Sequence, residues 1–306
     1  MRLSTAHRGL RFDQAIHRVL LDRGQRPSVR EIRQALRAGR IRVDGCRVAP
    51  GALCAGDERI DLGAFTARGE AVLVGETDAR VEVLHEDDNL LVLSKPAGMP
   101  TGPLVPGESG TLLGVAVGLA PEIATAGPPL EGGLVHRLDR DTTGVVVFAK
   151  TLAQRELLRE AFRRHDIEKR YLAIVQGGLS GPVVVVGAIS TAEDRRRVRV
   201  RLGHGLPART EFAVRSAWSD RWSLLEAVTC TGRRHQVRAH LACLGRPIVG
   251  DVAYGGLATP SMPRVALHAS RVTLPSGASF AAEMAADMRD FLLALGPVVD
   301  QPRGCC

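Results

Sequence analysis

Apolar residues recur along this chain at two spacings, and each change of spacing marks a new element. Between Asp13 and Arg23, Ile16, Val19 and Leu20 fall on one helical face, and Gly24 should end that helix. A second helix is predicted from Ser28, where Glu31 three residues on completes a capping box, to a stop at Gly39. Its apolar side is Val29, Ile32 and Leu36. Ile41-Arg42-Val43, Asp44-Gly45 and Cys46-Arg47-Val48 read as a hairpin, because Asp-Gly suits a type I′ turn. A short strand follows near Ile60, and the residues up to 80 mix Gly, Ala and charged side chains without a period, as a linker would.

Further on the spacing favours strands. Val81 to Leu84 and Asn89 to Ser94 are predicted strands around a Glu86-Asp87-Asp88 turn. A Pro/Gly-rich stretch over 101–133 carries one helix near Thr111–Leu119. A polar knot bounded by Gly133 and Gly144 then feeds the apolar run Val145 to Ala149, the pattern of a buried strand. Thr151 should cap a helix to about His165 with Leu157, Leu158 and Phe162 inward, and a strand starts at Lys169-Arg170-Tyr171. Asp194 to Arg201 alternates basic and apolar residues like a half-buried strand, and Trp222 to Val228 is another. A helix with Val237, Leu241 and Leu244 inward ends at Gly245, and Leu267-His268-Ala269 and a helix over Phe280–Leu295 close the pattern. The class expected is α+β: a small N-terminal α/β module, then a larger domain with a mixed, mainly antiparallel sheet flanked by helices and loops. The expected boundaries are 1–65 for the module, 66–80 for the linker, 81–298 for the large domain and 299–306 for a tail.

Composition narrows the class. Hydrophobic residues make up 45% and charged residues 24% of the 306, as in ordinary globular proteins. No apolar run approaches the ~20 residues of a membrane span, and Met1 to Arg8 lacks the apolar core of a secretory signal. A cytoplasmic, monomeric protein without a membrane partner is expected. The six cysteines, at 46, 54, 230, 243, 305 and 306, have neither Cys-x-x-Cys nor zinc-like spacing, so reduced thiols are the default. The net charge of +8 favours a polyanionic partner. Residues 1–62 hold thirteen Arg and seven acidic residues, a net of +6, so most of the excess lies in the first module. On its second helix Arg30, Arg33, Arg37 and Arg40 line one side without a Glu four residues away, and Arg42 follows on the next strand. Such a row reads as a face for RNA phosphates or as a solvated helix surface.

The candidate chemistry lies in the knot His136-Arg137-Leu138-Asp139-Arg140-Asp141-Thr142-Thr143-Gly144. A carboxylate beside guanidiniums stays charged, and on a loop between strands it can be a nucleophile, a general base or a metal ligand. It can equally belong to an ion-pair network of Arg137, Asp139 and Asp141 that caps the strand.

The knot resembles the signature of the RluA-type RNA pseudouridine synthases. Three more blocks resemble that family in the right order: Lys95-Pro96-Ala97-Gly98; Lys169-Arg170-Tyr171-Leu172-Ala173; and Gly232 to Leu241 with Arg246 to Gly255. Where the family commonly has His-Pro after the first block, this chain has Met99-Pro100-Thr101-Gly102-Pro103. Residues 9–62 are similar in order and spacing to the αL-motif RNA-binding module of a small-subunit ribosomal protein. The resemblance implies isomerisation of uridine to pseudouridine in RNA, with no cofactor and no metal. It casts Asp139 as the catalytic residue, Arg238 as its partner and Tyr171 against the flipped base. Arg137, Lys95, His235 and Leu267 would contact the substrate. Ribosomal RNA is the favoured target; transfer RNA is the alternative. Two rival classes are a non-catalytic RNA-binding protein and a metal-dependent hydrolase using His136, Asp139, Asp141, His235 and His240. Arg neighbours of His136 and His235 would repel a divalent cation, and the intact Asp, Tyr and Arg set speaks against an idle protein.

Overall fold

The computed structural model describes residues 1–23, 27–63, 65, 73–105, 107–179, 181–191, 198–201, 205–218 and 221–298. The chain divides into two compact units, Met1–Ala71 and Val72–Cys306. Gly24, residues 194–197 of the basic alternating run and the 299–306 tail lie outside the described residues.

In the first unit α1 (Phe12–Asp22) and α2 (Val29–Arg37) pack through Phe12, Ile16, Leu20, Ile32 and Leu36. The capping box forms: Ser28 Oγ accepts the Glu31 amide at 3.2 Å, and Glu31 Oε2 accepts the Ser28 amide at 2.7 Å. The expected hairpin forms only at its turn. Asp44 and Gly45 both have positive φ, and Val43 and Cys46 exchange backbone bonds of 2.9 Å. Past Cys46 the second arm does not pair with the first. β1 (Arg42–Val43) instead pairs with β2 (Ile60–Asp61), antiparallel.

The second unit opens with β3 (Glu82–Glu86) and β4 (Leu90–Lys95), followed by α3 (Leu112–Leu119), β5 (Thr143–Ala149) and α4 (Leu152–Arg164). Then come β6 (Glu168–Gln176), β7 (Val183–Thr191), β8 (Val198–Arg201), β9 (Leu206–Trp218) and β10 (Trp222–Thr229). α5 (Gln236–Cys243), β11 (Leu267–Thr273), β12 (Ser279–Ala281) and α6 (Ala286–Ala294) complete it. The sheet order is β3-β4-β5-β11-β6-β10-β9-β7-β8, with β12 on β11. Among the described residues only β5 and β11 run parallel, so the sheet is mixed and mainly antiparallel, as expected.

β4 and β5 read as continuous apolar runs because both their faces are covered. Leu91, Leu93, Val146 and Phe148 pack on α3, while Val92, Val145 and Val147 pack on Leu158 and Ala161 of α4. Thr111 and Thr151 cap these helices through the amides of Gly114 and Gln154. Three expectations change. Leu157 is 62% exposed, because the inward row of α4 runs through Leu158 and Ala161. Phe280 belongs to β12, turned back onto β11 by a bend closed by Leu274 and Ala278, so α6 begins only at Ala286. Of the predicted linker, 66–72 fall outside the described residues, and the stretch 73–80 is tied to α3: Glu76 donates its amide to Gly114 O, and its carboxylate accepts from Gly110.

Candidate active site

Asp139 lies on the loop entering β5, and three elements distant in sequence hold that loop by its backbone. Thr101 Oγ donates to Leu138 O at 2.8 Å and accepts the Leu138 amide at 3.1 Å. Lys95 Nζ donates to Arg140 O at 2.7 Å, and also to Pro96 O and Met99 O. Arg264 Nη1 reaches Asp141 O at 3.1 Å, and the Thr142 amide closes on Asp139 O at 3.1 Å. Four consecutive carbonyls, 138 to 141, therefore each have a donor. A loop with its polar groups satisfied in this way is held in one conformation. The residues that depart from the family's His-Pro pattern include Thr101, which here clamps the loop.

The loop's side chains do not form the internal ion-pair network that the sequence left open. Asp139 pairs instead with Arg238 of α5, Nη1 to Oδ2 at 2.9 Å. Arg137 and Asp141 are exposed, and neither is in an ion pair among the described residues. Arg238 is 8% exposed. Its Nε and Nη2 donate to Asp251 Oδ2 and Oδ1 at 2.7 and 2.8 Å, and the Tyr254 ring covers it at 5.1 Å. Burial works against the guanidinium charge, but the bonds to Asp251 and Asp139 outweigh it and push the pKa up. His235, at φ 54° ahead of α5, places Nε2 3.7 Å from Asp139 Oδ2 and Nδ1 3.2 Å from the Tyr254 hydroxyl. Burial lowers its pKa, opposed by Asp139 and helped by Arg238, so the neighbour of the carboxylate is a neutral imidazole.

Tyr171 stands in β6 between Ala269 of β11 and Ala227 of β10 in the strand register, with Gly144 of β5 beyond Ala269. Opposed residues of a sheet share a face, so small side chains flank the ring. Burial, then the charge of Asp139, pushes the phenol's pKa up, which keeps it protonated. Leu267 is buried in the cluster against which Tyr171 packs. Lys95 was expected to bind substrate, but it is 1% exposed and its three N–H groups are taken by backbone carbonyls. Burial pushes it down to about 7, against the nearby Asp141 charge. Its place is that of a loop anchor.

The histidines of the metal-hydrolase reading do not assemble. His136 Nε2 accepts the Val147 amide at 3.0 Å, and His240 Nδ1 pairs with Thr210 Oγ at 2.8 Å. Among the described residues no three His, Cys, Asp or Glu side chains are grouped to hold a metal. Sequence reading missed Asp251, Tyr254, Thr101 and Arg264. Their signal was faint, since each acts on a residue far along the chain.

In the N-terminal unit the arginine row is broken by one member. Arg33 Nε bonds Asp13, a fully buried carboxylate that also takes Arg11 at 2.9 Å. Burial raises the pKa of Asp13, but the two arginines outweigh it and lower the pKa. Arg30, Arg37, Arg40 and Arg42 are exposed. Arg11, Arg33, Arg37 and Arg47 line a cleft of about 720 Å³ in this unit.

Comparison with known proteins identifies the family. A family model for RNA pseudouridylate synthase matches residues 89–243. Ribosomal large subunit pseudouridine synthase D of Nitrosomonas europaea is 37% identical over 203 residues, 63% of this chain and 58% of the relative. The protein of the same name from Vibrio vulnificus is 31% identical over 272 residues, 89% of this chain and 76% of the relative. Human RNA Pseudouridylate Synthase Domain Containing 4 superposes with a TM-score of 0.56 at 25% identity, covering 70% of this chain and 92% of the human one. The chain belongs to the RNA pseudouridylate synthase family. It spans 58% and 59% of the length of the Nitrosomonas europaea and Xanthomonas campestris relatives.

Proposed function

We propose that this chain isomerises uridine to pseudouridine in structured RNA, with ribosomal RNA as its target and Asp139 as the reacting group. The observation that carries the reading is the aimed carboxylate. Its Oδ2 is bound by Arg238, while Oδ1 has no hydrogen-bond partner among the described residues. A uridine in a stacked helix is out of reach, so the nucleotide is extruded into the site. Oδ1 then acts on the ribose, by attack at C1′ or by removal of the neighbouring C2′ proton. The N1–C1′ bonding pair leaves with the uracil, which turns above Tyr171. C5 then bonds to C1′ as the Asp139 ester bond breaks or as C2′ regains its proton, and the C5 proton leaves while N1 takes one up. Atoms and electrons are conserved, so this route needs no cofactor. Arg137, His235 and Leu267 contact the nucleotide in this reading, and Arg30, Arg37, Arg40 and Arg42 face RNA phosphates. Among the described residues no helix is long and apolar enough to cross a membrane; the proposed site of action is the cytoplasm, and the proposed state is monomeric.

The choice of ribosomal RNA rests on relatives named for the large ribosomal subunit. Mapping pseudouridines in cells with and without the gene tests it. One or a few ribosomal positions should lose the modification and regain it with the wild-type chain but not with Asp139→Asn, whose amide is neither base nor nucleophile. Loss confined to transfer RNA would replace the target. Full restoration by Asp139→Asn would overturn the mechanism.

A further inference from the structure

Asp251 directly precedes the short Val252–Tyr254 turn, is 1% exposed and turns its carboxylate onto Arg238. A guanidinium has five N–H donors and prefers to fork onto both oxygens of a carboxylate. Two carboxylates compete for Arg238. Asp251 holds the Nε/Nη2 fork through both its oxygens, and Asp139 is left with Nη1 through one. Tyr254 keeps that arrangement from turning: its ring lies across the guanidinium, and its hydroxyl reaches His235. The three charges, of which Arg238 and Asp251 are buried, sum to −1, so the Asp139 carboxylate is not simply cancelled by its cation.

We propose that Asp251 is a positioning residue for the reaction: by occupying the fork of Arg238 it limits that guanidinium to a single bond with Asp139 and leaves Oδ1 open to the ribose. Without Asp251 the fork turns onto Asp139 and takes both oxygens. The inference rests on the proposed isomerisation, in which Asp139 reacts through the oxygen that Arg238 leaves free.

The test uses the full chain with Asp251→Asn and Asp251→Glu. Misaiming a reacting group costs about 100-fold in rate, so Asp251→Asn should slow single-turnover isomerisation by about that factor at saturating RNA, while the Kd for RNA stays within about twofold. Asp251→Glu, which keeps the charge, should recover part of the rate. In an Arg238→Gln background Asp251→Asn should cost nothing further, since residues that act as a unit are not additive. Losses that multiply, or a wild-type rate in Asp251→Asn, would overturn the proposal. If Asp251→Asn does not fold, Asp251→Glu decides by the same split between rate and Kd. A second readout needs no RNA. The Arg238 Nε–H, bonded to buried Asp251 in the wild type, should move to the more exposed Asp139 in Asp251→Asn and exchange faster, and exchange as slow as in the wild type would count against the proposal. A wild-type chain that forms no pseudouridine would instead defeat the proposed function, leaving the exchange result to judge the geometry alone.

Discussion

His136 stands three residues before Asp139, yet its ring turns away, with Nε2 on the Val147 amide and Phe162 5.0 Å off. Burial and then the charge of Lys169 push its pKa down to about 3, and burial alone takes His240 down to about 4. Unfolded imidazoles titrate near 6.5. Below that pH the unfolded chain binds more protons than the folded one, so stability is complete above pH 6.5 and declines as the pH falls toward the folded values. The decline per imidazole is up to about 1.4 kcal/mol per pH unit. Urea unfolding at pH 7, 6 and 5 should show it, and His136→Gln should flatten it by about one imidazole's share. An unchanged slope would mean that His136 is not held neutral. At this scale the Asp139–Arg238 pair was legible because both residues sit in blocks that resemble a known signature. Asp251 was not: it lies in the Arg246–Gly255 block too, but nothing in a local window says that a carboxylate thirteen positions on folds back beneath the same arginine.

Among the strands, the parallel contact of β5 with β11 depends on one residue. Gly144 adopts φ +113°, and a Cβ there would lie 2.1 Å from Ala269 O. Gly144→Ala would therefore push β11 away and strain the backbone, with an expected loss of about 2–4 kcal/mol. Chemical denaturation measures it, and a loss below the scatter of such data would mean that the strands separate without penalty. Turnover should fall as well, because Tyr171 lies next in the same register row. The twice-covered strands β4 and β5 were plain in the sequence as unbroken apolar runs. β7 and β9 were not. Along the first half of β9 the buried positions are Ala208, Thr210 and Phe212, alternating with Pro207, Arg209 and Glu211, while at its end the adjacent Ala217 and Trp218 are both buried, so the period of two is weak. β7 opens with four valines in a row, which show no alternation. Phe280 misled because one aromatic near a helical pattern looks the same whether it opens the helix or closes a short strand.

Across the whole molecule the excess positive charge concentrates in the first 62 residues, as composition alone reveals. Composition could not show that Arg33 is tied to buried Asp13, twenty positions earlier on the other helix. The exposed members are the ones to test. Replacing Arg30, Arg37 and Arg40 with Gln should weaken RNA binding and flatten its salt dependence. Each lost phosphate contact lowers the slope of log affinity against log salt by ~0.7–0.9. Binding measured across a salt series decides, and an unchanged slope would make the row a solvated surface.

The loop at 138–141, with every carbonyl already engaged, has under the proposed function a consequence for how a target is chosen. A rigid template cannot adapt itself to its guest, so the deformation falls on the RNA. The cost of extruding a nucleotide is least where it is unpaired or poorly stacked. Selection among uridines then becomes a comparison of how readily each stretch of RNA gives way, with the protein supplying the same fixed mould every time.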